Sequence, residues 1–505
     1  MTTRYLCVHG HFYQPPRENP WTGVIERQPS AGEDHDWNAR IARECYGPNA
    51  RARVDGGGGE TARLVNNYER ISFNVGPTLL SWYERERNAD YRKLLEADAE
   101  SCRRLAGHGN AIAQAYNHTI LPLSHPDDQL TQVLWGLADF RRRFGRKPEA
   151  LWLAECACDD SVLRLLIDQG LKYAILSPAQ ALRARPIGSR QWLDVSSGSI
   201  DNRRPYRWWS GAPQSSSHID LFFYDGALSQ AVAFGRLMSD ANRAADELLR
   251  RFSQKRPTSE LVGLCTDGET YGHHEKFADL GLAYLLYEAA GRRGLSAVNF
   301  GWYLAKHPPT WQAQLKPGPQ GLGTSWSCAH GVARWSSDCP CGAAEGGQTR
   351  WRAPLRCALD WLRRRLADIH ESRGGALLKS PWEARNDYIG LLLDPSPDNE
   401  EAFWDRHLKS GARGRAGEAL RLLEMQRFSM LMFTSCAWFF ADIAGLEAAQ
   451  NLKYAARAME LAAQAGAGGL EAGFLKLLAL APSNNASYRD GAGVYSALVR
   501  PKALP

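Results

Sequence analysis

The sequence predicts an α/β protein: a closed or nearly closed barrel of seven strands with helices outside it, followed by an α-helical region. Three observations carry that expectation. Apolar, strand-like runs alternate with helix-like segments through roughly the first 300 residues, the pattern of a parallel sheet with crossover helices. Nearly every run ends in a group able to do chemistry or to bind a polar ligand, as in barrels, where the C-terminal strand ends gather on one face. Beyond residue 350 the apolar residues take up helical spacing among Ala, Leu, Arg and Glu.

The seven runs span residues 5–8, 71–75, 111–116, 150–153, 173–176, 219–224 and 261–265. They lead into His9 and His11, Asn74, Asn117 with His118, Glu155, Ser177, Asp225 and Asp267. Helical spacing is read over 81–102, 128–144, 161–169 and 231–252. A flat doubly wound sheet is the alternative, but no GxGxxG follows the first run, and the Gly56–Gly59 tract sits in a loop-like stretch. That tract reads as a flexible insertion rather than a phosphate cradle.

At 505 residues the chain exceeds one ordinary core. The expected organisation is a barrel over 1–317, a Cys- and Trp-rich loop on the active face over 318–349, and a helical domain over 350–505. Helices are read at 354–372, 417–433, 436–444 and 447–463, with a loop, a short helix and a frayed tail at the end. The net charge of +6 is small for this length and gives no argument for a nucleic-acid partner. Arg363, Arg364 and Arg365 read as a solvated helix face. No signal-like start and no run of eighteen apolar residues occurs, so no membrane association and a cytoplasmic location are expected. Eleven scattered cysteines suit reduced thiols better than a disulfide framework.

The chemistry concentrates at residues 261–274, LVGLCTDGETYGHH. An apolar strand breaks there into Thr266, Asp267, Glu269, Tyr271, His273 and His274. Glu155, in ALWLAECACDD, falls just past a second buried strand, where an unpaired charge needs a partner or a function. Two carboxylates from different strand ends are the minimum machinery of glycoside hydrolysis: one attacks, one holds a proton. At this point either could take either role. His9 and His11, two apart on a strand, face the same way and read as a substrate clamp with Tyr13 as a stacking face, ahead of a metal pair. His118 gains weight from its place at a strand end. Cys328, His330, Cys339 and Cys341 make a possible soft-metal set, but the one-residue gaps depart from ordinary zinc knuckles. They are read as buried reduced thiols, and no metal or cofactor is expected. Trp326 and Trp335, in the same loop, are candidate sugar-stacking walls. Trp208 with Trp209, and residues 33–37, read as loop clusters over the pocket.

These segments, in this order, resemble glycoside hydrolase family 57. The first motif corresponds to His9, His11, Gln14 and Pro15, lengthened by Phe12 and Tyr13. The second corresponds to His118 with Leu121, Pro122 and Leu123, the third to Trp152 and Glu155, and the fourth to Asp267, Gly268 and Glu269. The resemblance implies an incomplete seven-stranded (β/α) barrel followed by helices, acting on α-linked glucans as an amylase, 4-α-glucanotransferase or branching enzyme. It also implies Glu155 as nucleophile and Asp267 as acid/base. His9, His11, Gln14, His118, Trp152, Glu269, Trp326 and Trp335 are then expected to bind an oligo- or polysaccharide. The longer first motif and the CAC sequence after Glu155 depart from the amylase pattern and bear on the substrate more than on the chemistry. Two rivals are a metal-dependent polysaccharide deacetylase-like hydrolase using His9, His11 and Asp267 as ligands, and an inactive carbohydrate-binding barrel.

Overall fold

A ring of seven strands carries the architecture: β1 (Arg4–Phe12), β2 (Ser72–Val75), β3 (Ala113–Gln114), β4 (Leu151–Trp152), β5 (Tyr173–Leu176), β6 (His218–Phe223) and β7 (Glu260–Asp267). The computed structural model describes residues 3–54, 62–211, 217–253, 258–345 and 347–500; the Gly56–Gly59 tract lies outside them. β1 pairs in parallel with β7, setting His11 opposite Asp267, and with β2, setting His11 opposite Asn74. The ring continues through a Phe73–Ala111 bridge, the β3–β4 ladder, an Ala150–Tyr173 bridge and the β5–β6 ladder, all parallel. Between β6 and β7 the described residues form no ladder. A bond from the Asp225 N–H to the Gly263 carbonyl, 2.7 Å, spans that seam. The barrel is thus seven-stranded and incompletely closed.

The strands differ in length from their apolar runs. β1 and β7 extend through His9, His11 and Asp267, because the backbone ladder continues after the apolar side chains stop. β3 and β4 shrink to two residues each, since their flanks hold only single bridges before the chain turns.

Two long helical readings each break in two. The 81–102 reading becomes Pro77–Glu86 and Asn88–Arg104, separated at Arg87 by a non-helical φ of −140°. The 231–252 reading becomes Gly226–Ala233 and Ala241–Arg251, the second capped by Asp240, whose carboxylate accepts from the Asn242 and Arg243 amides. Residues 436–444 form no α-helix, only a short turn at Ser435–Trp438. Trp208 and Trp209 lie on a strand, Tyr206–Trp209, antiparallel to β6, that begins a side sheet missing from the sequence reading. No helix of the described residues is long and apolar enough to cross a membrane.

Two large hydrophobic cores form, one inside and around the barrel and one among the C-terminal helices. They meet along the helix Pro126–Phe144, where Trp135 donates to the Asn386 carbonyl at 3.0 Å. Beside it, Asp128 accepts from Arg385 Nη1 (2.7 Å) and Arg363 Nε (2.9 Å). Arg363 is therefore an interface residue rather than part of a solvated face. Burial alone would raise the Asp128 pKa, but the Arg385 charge and the Arg363 hydrogen bond outweigh it and hold the carboxyl below its usual value. A depressed pKa contributes stability that is complete above the unfolded value of about 3.9 and lost as pH falls through the folded one. Asp128→Asn would strand the buried Arg385, a loss of about 3–5 kcal/mol. Denaturant melts at pH 7 should register that loss, and it should shrink below about pH 4 as wild-type Asp128 protonates.

Candidate active site

Glu155 leaves the barrel on strained backbone. After β4 the chain turns, and Glu155 and Cys156 both take left-handed conformations with φ of 58° and 50°, at a cost of about 1–3 kcal/mol each. The segment 324–327 holds the turn in place. Cys158 and Thr324 exchange backbone hydrogen bonds, and the Trp326 N–H donates to the Glu155 carbonyl at 2.9 Å. The same segment reaches the side chain: Trp326 Nε1 (3.0 Å) and Ser327 Oγ (2.5 Å) both donate to Glu155 Oε2. Burial raises the Glu155 pKa above the usual glutamate value, opposed by those two donors and by the Arg334 charge.

Asp267 ends β7 as the one exposed residue of an otherwise buried strand. No donor among the described residues reaches its carboxylate. Although solvent touches the side chain, protein surrounds it closely, and that burial, with the charges of Glu269 and Glu155, pushes its pKa well above the usual aspartate value. Glu269 is itself buried; its Oε1 accepts from the Tyr13 N–H at 3.0 Å and from the Tyr46 hydroxyl. Burial, only partly offset by these donors, lifts its pKa to about 7. Glu269 is thus a support behind the site, not an open contact for a ligand.

Three histidines and an asparagine form the floor. Asn74 Nδ2 donates to His11 Nδ1 (2.9 Å) and to Gln114 Oε1 (2.7 Å), while its Oδ1 lies 3.1 Å from His9 Nε2. With Nδ1 of His11 accepting, the network assigns its proton to Nε2, which faces His118 Nε2 at 3.1 Å; His118 Nδ1 then donates to Ser435 Oγ at 2.7 Å. His9 completes the set through Ser72 Oγ at 2.9 Å. Burial, then the charge of a neighbouring histidine, lowers His9 to about 3 and His118 well below the ordinary value, and burial carries His11 to about 3, so the three imidazoles are neutral. Trp152 lies nearly parallel to His9 and His11, with centroids 4.7 and 5.0 Å away. The expected clamp of free imidazoles is therefore a set of rings whose nitrogens already have protein partners.

Of the remaining expected residues, Trp326 is half-buried over Trp152, and Gln14 is half-buried on Arg17, which donates to it at 2.9 Å. Trp335 is only 1% exposed, belongs to the helical core and donates to the Ser435 carbonyl, so it offers no stacking face. Trp208 is buried as well. Trp37 and His273, from the 33–37 cluster and the 261–274 stretch, meet edge to face. Cys328, His330, Cys339 and Cys341, a possible soft-metal set in the sequence though read in favour of reduced thiols, bring their ligand atoms together within 4.8 Å of one another. A separate cavity, lined by His125, Asp128, Arg356, Arg363 and Arg364, lies at the barrel–helix joint and contains neither Glu155 nor Asp267.

Ser327 and Ser435 carry no sequence signal. Each comes from a segment more than 150 positions away from the residue it contacts. Asn74, by contrast, was legible as a polar strand end.

The sequence pattern described as glycosyl hydrolase family 57 matches residues 58–309, and a domain of unknown function, DUF3536, matches residues 348–505. No curated protein sequence matches the chain. The fold is similar to the exo-type maltose-forming amylase of Pyrococcus sp. ST04, at 15% identity and a TM-score of 0.68, covering 99% of this chain and 92% of that one. It is also similar to the branching enzyme of Pyrococcus horikoshii, at 15% identity and a TM-score of 0.56, covering 100% and 97%. The 4-α-glucanotransferase of Thermococcus litoralis aligns at 14% identity and a TM-score of 0.53, over 92% of this chain and 60% of that one.

Proposed function

We propose that this chain, which belongs through residues 58–309 to glycosyl hydrolase family 57, is a retaining glycoside hydrolase or transglycosylase acting on α-linked glucan. The observation that carries the reading is the unequal treatment of the two carboxyl groups. Glu155 has two donors on Oε2 that stabilise the anion and leave Oε1 uncommitted. Asp267 has no such donors and sits beside two other carboxylates, which favours its protonated form. The pair is thus divided into a nucleophile and an acid.

In this reaction Glu155 Oε1 attacks the anomeric carbon while Asp267 gives its proton to the departing glycosidic oxygen. The C–O bond breaks and a glycosyl ester of Glu155 forms. Asp267, now ionised, removes a proton from water or from a sugar hydroxyl. That oxygen displaces Glu155 from the anomeric carbon, and two inversions give net retention. Trp326, half-buried, supplies apolar ring surface for the sugar, whereas Trp152 is as buried as Trp335 and backs Trp326 rather than stacking on the sugar; Tyr13, His11 and His118 stack beneath without adding charge.

The geometry gives less support to the rivals. A metal on His9, His11 and Asp267 would have to displace protein partners from the ring nitrogens of both histidines. A purely binding protein has no need to keep two crowded, desolvated carboxyl groups, which are costly to retain.

The relatives named amylase, branching enzyme and glucanotransferase suggest soluble starch or glycogen as the first substrate to try. Chromatographic profiling should give either new reducing ends, from hydrolysis, or redistributed chains without them, from transfer. Proton NMR of the first products should show the α-configuration. Untouched α-1,4- and α-1,6-glucans, or a β-configured first product, would sink the proposal.

A further inference from the structure

Three of the distances among the four ligand atoms near the proposed nucleophile match the edges of a tetrahedron around one ion, and all four atoms lie within 4.8 Å of one another. Cys328 Sγ and Cys339 Sγ lie 3.6 Å apart; Cys339 Sγ and Cys341 Sγ lie 3.4 and 3.5 Å from a single nitrogen, His330 Nδ1. Metal–sulfur bonds of about 2.3 Å and metal–nitrogen bonds of about 2.0–2.1 Å give tetrahedral edges of about 3.8 Å between sulfurs and about 3.5 Å from sulfur to nitrogen. A disulfide would instead need about 2.05 Å. The one-residue gaps that disfavour an ordinary knuckle are no obstacle, because Cys328 and His330 form one arm and Cys339 and Cys341 the other, with the turn Ala333–Trp335 between them.

The charge balance gives an independent observation. Arg352 is fully buried and donates Nη1 to the carbonyls of Cys339 (2.6 Å) and Cys341 (2.8 Å). Its Nε and Nη2 have no hydrogen-bond partner, and no carboxylate among the described residues pairs with it. A buried guanidinium needs a counter-charge. Three thiolates and a neutral imidazole around a dication carry a net charge of −1, which would supply it.

We propose that Cys328, His330, Cys339 and Cys341 bind one zinc ion in a closed Cys3His site that pins the loop carrying Trp326 and Ser327 against Glu155. Zinc suits three thiolates and an imidazole in tetrahedral geometry, and four protein ligands make the site structural rather than catalytic. Binding replaces three S–H bonds with zinc–sulfur bonds and releases the protons to solvent, with no change in oxidation state. Ser327 immediately precedes Cys328, so fixing that sulfur fixes the donors on Glu155 Oε2. This consequence for Glu155 rests on the function proposed above; the metal site itself does not.

The test uses the full chain expressed with zinc in the medium, purified under reducing conditions and dialysed against metal-free buffer. Elemental analysis should find about one zinc per chain. Cobalt(II) substituted for it should show thiolate-to-metal charge transfer and tetrahedral visible bands. Cys341→Ser and His330→Ala should each lower the retained zinc about tenfold or more. Should those variants fold poorly, chelating the wild type should expose about three additional thiols to a disulfide reagent, and added zinc should mask them again. A wild-type chain that holds and takes up no zinc, zinc retained by both variants, or stoichiometric iron in its place would each overturn the proposal. Because the metal count does not depend on turnover, an inactive chain with one zinc and an active chain with none are distinguishable results.

Discussion

Glu155→Gln is expected to lower kcat on an α-glucan by roughly 10⁴-fold or more while leaving the fold intact. The amide is close to the carboxylate in size and can still accept from Trp326 and Ser327 through its oxygen, but it cannot form the glycosyl ester. A loss of about 10⁴ corresponds to about 5.5 kcal/mol of transition-state stabilisation, too large for a residue that only contacts substrate. Glu155→Ala tests the role rather than the importance. It opens space for azide, which attacks the anomeric carbon directly, so the expected product is a glycosyl azide of inverted configuration. A retained-configuration azide from Glu155→Ala would reassign the nucleophile.

Asp267→Asn should lower activity by about 10²–10⁴-fold. The deficit should be smallest for substrates whose leaving group needs no proton. Such a substrate should still form the ester on Glu155, so azide with Asp267→Ala should yield a glycosyl azide of retained configuration, the opposite outcome from Glu155→Ala. The pH profile makes a further check. The acid must be protonated, and burial together with the charges of Glu269 and Glu155 raises its pKa. The alkaline limb of kcat/KM should therefore lie well above the ordinary aspartate range. The acid limb, set by ionisation of Glu155, should also be displaced upward. Glu269→Gln removes one of the charges that raise Asp267, so it should shift the alkaline limb to lower pH while leaving the acid limb in place. An alkaline limb that does not move would mean that Asp267 is not the group whose protonation limits the rate.

Much of this site was legible from where apolar runs stop. The runs before His9, Glu155 and Asp267 are buried strands of one ring, and a parallel ring directs their C-terminal ends to one face. The Asp240 cap that divides one long helical reading escapes that reading, because hydrophobic periodicity alone runs through it. Trp335 was misread because an aromatic residue in a polar, Gly-rich loop looks exposed, whereas the loop folds that ring into the helical core. Glu269 was misread for the opposite reason. It adjoins Asp267 in sequence, but the turn after β7 carries its side chain back to Tyr46 and Tyr13.

Strand–helix alternation, the seven-stranded barrel and the two carboxylates at strand ends are legible in the residues alone, because each follows from local periodicity and from the burial that apolar runs require. Tertiary structure alone decided how those carboxylates differ. Two donors on Glu155, Glu269 beside Asp267, the Ser435 hydroxyl on His118 and the closing of four metal ligands on one point all join segments distant in the chain. The pKa of a carboxyl group depends on the charges and donors within a few ångströms, and residues that near in space leave no regular spacing in the sequence.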